Sequence, residues 1–196
     1  MRQVLSYGFI ALLLTTICGV ECYAAKAPKT PPDPKLMAIK LISVLPIVDS
    51  RAGEKASVNL EKVQEFVMSA LKRKRFNTSA ETTMGPVGQV VEEDLQGAKP
   101  DFVKKLGPAE SRWVMAICLG DVTSKLTYGS TGNAELTGYL FDKESGELIW
   151  KAKGAGQAGQ GGLLGMAMKG AMKTAALQAA GYNLVVSLPT LPKPGK

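Results

Sequence analysis

The chain has 196 residues, 45% hydrophobic and 21% charged, and its 24 basic against 17 acidic side chains give a formal net charge of +7 and a pI near 9.3. Histidine is absent, which removes His-based triads, most zinc sites and the commonest general base. Cys18 and Cys22 lie near the N-terminus and Cys118 stands alone, so no internal disulfide framework staples the fold.

Residues 1–25 begin with Arg2, run through an apolar stretch over 4–18 and reach small residues at Cys22-Tyr23-Ala24-Ala25. This is the layout of a secretory signal peptide, with cleavage expected near Ala24 or Ala25. The apolar run is shorter than the about 20 residues that span a bilayer. The leader carries one base, Arg2, and one acid, Glu21, so the exported chain keeps its full positive charge. What remains, about 170 residues, suffices for one domain with a real core. A basic protein suits anionic surfaces such as lipid headgroups or acidic polymers, and export takes nucleic acid out of that set. Lipid attachment is disfavoured, because Ile17 precedes Cys18 and Glu21 precedes Cys22 where small residues are normal.

Residues 26–35 (KAPKTPPDPK) read as an extended Pro/Lys-rich tether, the domain as 36–190, and 191–196 as a flexible tail. Residues 36–45 read as a strand bounded by Pro46. A helix follows over 59–75, with Asn59 as N-cap, Val58 and Val63 as a staple, and Leu60, Val63, Val67, Ala70 and Leu71 on one face. A short strand over 79–83 completes a β-α-β unit, whose crossover is right-handed. Residues 87–95 and 101–106 are helical pieces broken by Gly97 and Pro100. The nearly unbroken apolar run 113–122 predicts a strand buried on both faces. Residues 134–141 alternate and lead through a turn over 142–147, with Gly146 free to take positive φ, into a returning strand. There Leu148, Trp150 and Ala152 are expected on one face. Residues 154–162 read as a Gly/Gln link and 163–188 as a small-residue-rich helix. The order β-α-β-α-β-β-β-α predicts one α+β domain, a mixed sheet with helices packed on it.

Candidates for chemistry fall away one by one. Ser69-Ala-Leu-Lys72 has the S-x-x-K spacing of penicillin-binding serine enzymes, but S-D-N and K-T-G are missing, so both residues read as ordinary helix positions. Glu92, Glu93 and Asp94 are adjacent on a helix and point different ways, which suits a solvated face better than a cation. The glycine-rich run 154–165 lacks both G-x-x-x-x-G-K-[ST] and G-x-G-x-x-G. Cys118, inside an apolar run, reads as a buried inert thiol. No catalytic, metal or cofactor-binding residue is assigned. Two features survive. Lys72, Arg73, Lys74 and Arg75 end the first long helix with more positive charge than its dipole needs, making them candidate partner-binding residues. Gly161-xxx-Gly165 and Ala171-xxx-Ala175-xxx-Ala179 allow close packing of the last helix, with Lys169 and Lys173 on one arc and Leu164, Met168 and Met172 opposite.

Val44-Leu45-Pro46-Ile47-Val48-Asp49-Ser50-Arg51, Arg112-Trp113-Val114-Met115 and the hairpin Leu140-Phe141-Asp142-Lys143-Glu144-Ser145-Gly146-Glu147-Leu148-Ile149-Trp150 carry a resemblance that spans most of 36–190. They resemble bacterial cell-envelope proteins: LpoB-type penicillin-binding-protein activators, CsgG-type secretion lipoproteins and families sharing the fold of the TolB N-terminal domain. The resemblance implies a non-enzymatic, periplasmic or outer-membrane-associated binding module, and it carries over no site residue. The expected function is therefore protein–protein interaction in the bacterial envelope, with an envelope protein of outer-membrane or cell-wall machinery as partner. The alternative is a peripheral membrane protein that binds anionic lipid through its basic and amphipathic helices. A small hydrolase is the remaining fallback.

Overall fold

The computed structural model describes residues 33–52, 58–127, 129–162 and 167–193; the expected leader, and the tether up to residue 32, lie outside them. Six strands form one mixed sheet: β1 (Leu41–Val44), β2 (Val48–Asp49), β3 (Asn77–Ala80), β4 (Trp113–Thr127), β5 (Gly129–Asp142) and β6 (Glu147–Gly161). Their order across the sheet is β3-β1-β4-β5-β6, with β2 beside β4. β1 runs parallel to β3 and β4, β2 runs parallel to β4, and β4-β5-β6 is an antiparallel meander. The helices are α1 (Pro34–Met37), α2 (Leu60–Arg73), α3 (Glu92–Gln96), α4 (Pro100–Lys104) and α5 (Lys169–Leu184). The expected single α+β domain is what the chain forms.

The apolar run in β4 needs cover on both sides, and it receives it. Val114 to Leu119 are all 0% exposed. Met115, Ile117 and Leu119 face one core with Val63, Val67 and Leu71 of α2 and Ala176, Ala180 and Leu184 of α5. Val114, Ala116 and Cys118 face a smaller core with Leu95, Val103 and Leu106 under α3 and α4. The α2 cap is as expected, since Asn59 Oδ1 accepts the Lys62 N–H at 2.9 Å. Gly146 has φ +74° in the β5–β6 turn.

Four expectations need correction. The strand over 36–45 is shortened to β1, because Asp33 Oδ1 accepts the Lys35 N–H at 2.8 Å and Pro34 starts a helical turn, so α1 takes the end of the expected tether. The link over 154–162 is strand as far as Gly161, paired residue by residue with 129–136 of β5. The last helix, α5, ends at Leu184 and not at 188, and the expected start over residues 163–166 lies outside the described ones. Leu148 and Trp150 do not share a face. A register shift at Leu140/Phe141 sets Trp150 opposite Leu140 and Leu148 opposite Phe141, which turns Leu148 outward at 42% exposure.

Trp150 is half-buried against the main core, and its Nε1–H donates to Ser187 Oγ at 2.9 Å. Trp150→Ala should cost about 2–3 kcal/mol in urea unfolding, below the 3–5 of a fully buried indole. A loss under about 0.5 kcal/mol, the level of an ordinary surface change, would show that the indole does not anchor this hairpin.

Candidate interaction site

The four basic residues at the end of α2 are brought together but face different tasks. Lys74 Nζ donates to the carbonyls of Val186 and Leu188 at 3.0 and 2.9 Å, and dehydration there lowers its pKa. Arg75, with φ 68°, turns the chain toward β3 while its Nη1 donates to Leu191 O at 2.9 Å. The Arg73 guanidinium sits 5.5 Å from the centre of the Tyr182 ring. Lys74 and Arg75 hold the segment after α5 against the end of α2, a task the sequence reading did not foresee because the partners are carbonyls more than 100 residues away, while Arg73 meets α5 itself. Lys72 is exposed. Arg73 and Arg75 are exposed too, and a guanidinium with five N–H donors keeps charge to spare after one contact.

A second surface was missed. β6 is a 15-residue strand that pairs only with β5, so its outer edge carries no strand among the described residues. Proteins usually blunt such an edge with charge, proline or short length. Residues 154–161, Gly-Ala-Gly-Gln-Ala-Gly-Gln-Gly, hold neither charge nor proline. Six of these eight are glycine or alanine, which leaves little side-chain bulk beside the strand backbone. On one face they receive α5 at close range, since a Cβ on Gly154 or Gly156 would run into the backbone of Ala180 or Ala176. The close contact anticipated for the last helix is therefore made onto its own sheet, through Ala176 and Ala180. On the other face Ala155 and Gln157 are exposed, beside Asn133 and Glu135 of β5, and Lys153 Nζ pairs with Glu135 at 3.0 Å. Asn183 of α5 reaches over the strand and donates to Ala155 O at 2.7 Å.

Elsewhere the residues weighed for chemistry take structural places. Cys118 is fully buried, and burial first, then the nearby Glu92, pushes its thiol up to about 12. Glu92 accepts the Tyr139 hydroxyl at 3.0 Å, and Asp94 Oδ2 accepts the Val91 N–H. Ser69 is exposed on α2. Among the described residues no group of three or more Cys, Asp or Glu side chains converges as a metal site, and no helix is long and apolar enough to cross a membrane.

No protein-family model and no curated protein matches the chain. Solved structures do. A PelC variant dodecamer from Paraburkholderia phytofirmans matches with a TM-score of 0.52 at 11% identity, over 84% of this chain and 96% of that one. Lipoprotein GNA1162 from Neisseria meningitidis matches at a TM-score of 0.46 and 17% identity, over 67% and 94%. The LpoB C-terminal domain from Salmonella enterica matches at 0.36 and 19%, over 66% and 86%. At these identities the likeness concerns the fold alone.

Proposed function

We propose that this is an exported, non-enzymatic protein of the bacterial cell envelope that works by binding other proteins, and that a partner docks by adding a strand to the outer edge of β6. The observation that carries this reading is the uncharged, proline-free edge over 154–161, a geometry suited to main-chain pairing with an extended segment. The lack of histidine supports a binding role over catalysis. The leader composition supports export to the periplasm or the outer membrane. The fold is one that, in PelC, is found in a dodecamer. Lys72, Arg73 and Arg75 supply exposed positive charge that would draw an acidic partner, a contribution that fades with salt.

Site-specific photocross-linking tests the reading. A photoreactive residue at Gln157, exposed on β6, should give a discrete adduct in intact envelopes, whereas one at Gln178, exposed on α5, should not. Equal adducts from both positions, or none from Gln157, would overturn the assignment of the edge. Intact mass from the native host checks export: the chain should begin near residue 25 or 26.

A further inference from the structure

α2 and α5 lie side by side with their N-termini at the same end. Asn59, Lys62 and Val63 of α2 face Gly170, Lys173, Thr174 and Leu177 of α5, and Arg73 meets Tyr182 at the other end. Near that far end the helices touch, since a Cβ on Gly181 would lie 3.3 Å from Val67 Cγ2. Toward the N-termini they part, leaving a slot of 240 Å³. Val58 and Phe66, both partly buried, give the slot its accessible apolar surface over the buried Val63 and Leu177, and Lys62 and Lys173 stand in its wall. Neither ammonium makes an ion pair or a side-chain hydrogen bond among the described residues, and the Thr174 hydroxyl is already spent on Gly170 O at 3.2 Å. Parallel helices also place two partial positive ends together, which is mutually unfavourable. α2 offsets this with Glu61 in its first turn and the Asn59 cap, whereas the first turn of α5 carries no acid and Met168 supplies no side-chain cap.

We propose that this slot binds a single-chain amphiphile with an anionic head, its chain against Val58 and Phe66 and its carboxylate or phosphate between Lys62 and Lys173. The apolar lining is wasted on a free anion, and the paired cations are wasted on a neutral alkyl chain; only a molecule with both parts satisfies the site. The volume lies below the ~300–1,000 Å³ of drug-sized pockets, so there is room for one short chain and not for two. The charge complementarity is local and independent of residues 72–75.

Calorimetric titration of the exported chain with octyl phosphate, below its micelle threshold, should show one-to-one binding, and octanoate should bind likewise. Inorganic phosphate and octyl glucoside should each bind at least about tenfold more weakly, the loss expected when a charge-assisted contact or the chain is missing. The double change Lys62→Gln, Lys173→Gln should weaken octyl phosphate by about tenfold or more with an unaltered melting temperature, while Lys72→Gln leaves it unchanged. Equal binding of inorganic phosphate would reduce the slot to a simple anion site, and equal binding of octyl glucoside would reduce it to apolar contact. Binding to phosphatidylglycerol vesicles without binding of octyl phosphate would point to a membrane surface instead. Each of these three results overturns the proposal, as does a double variant that binds like the wild type.

Discussion

Gly156→Ala is expected to destabilise the protein by about 3 kcal/mol, the upper range of overpacking effects, although alanine is ordinarily the better strand residue. The reason lies in what the new methyl meets. On Gly156 it would run into the carbonyl of Ala176 and the amide of Ala180, and on Gly154 into Ala180 O and the backbone of Leu184. These are main-chain atoms of α5, which cannot swing aside as the end of a long side chain can. The whole helix would have to lift from β6, and with it Ala176, Ala180 and Leu184, all 0% exposed in the main core. Gly159 is the control on the same strand. A Cβ there would meet Thr131 Cγ2 at 3.4 Å, an ordinary contact, so Gly159→Ala should be neutral or gain up to about 1 kcal/mol through the unfolded chain. Urea unfolding of the three chains at unchanged slope reads both effects. Equal midpoints for Gly156→Ala and the wild type would mean that α5 does not lie on β6 at this distance.

This pair of glycines marks where the sequence was legible and where it was not. The fold class followed from patterns that depend on near neighbours: the 3.6-residue period from Leu60 to Leu71, the Asn59 cap, the unbroken apolar run of β4, and Gly146 in its turn. The glycine run beyond Lys153 misleads because the same residues serve a flexible link and a strand overlain by a helix; only the partner, α5, tells them apart. The register shift at Leu140/Phe141 was invisible for a similar reason. Alternation assigns Leu148 and Trp150 to one face, and a bulge needs knowledge of the opposite strand. For the candidate site, residues 72–75 stood out as a charge cluster, but their carbonyl partners near the C-terminus did not. The β6 edge left no positive mark at all, since an edge is a property of the sheet order and not of the strand.

Gln64 is the sharpest instance of a residue that no pattern announced, and its removal is the second large effect expected. It lies on the buried face of α2, 9% exposed, where period alone would place an apolar side chain. Its Nε2 donates to Val44 O at 2.8 Å, to Leu45 O at 3.1 Å and to Glu81 O at 3.1 Å. These carbonyls sit where β1 and β3 end together, just before Pro46, which has no N–H to offer. One amide thus ties α2 to the ends of β1 and β3. Gln64→Leu keeps the volume and the helix but strips donors from the site. Val44 O retains the Glu81 N–H at 2.9 Å, whereas Leu45 O and Glu81 O lose the amide that reaches them. At about 1–3 kcal/mol for each buried group left unpaired, the loss should be about 3 kcal/mol. Gln64→Glu separates hydrogen bonding from packing. Its carboxylate would face three carbonyls without a proton to share, so its pKa in the folded state should rise above the unfolded value. Below about pH 4.3, the unfolded value, both states hold the proton and the acid can still donate once. As pH climbs toward the raised folded value, the penalty grows by about 1.4 kcal/mol per unit. The Glu variant should therefore be much closer to wild type at pH 4 than at pH 7, while the Leu variant keeps a constant deficit. A Glu variant whose deficit does not change with pH would show that the amide at position 64 is not what closes these strand ends.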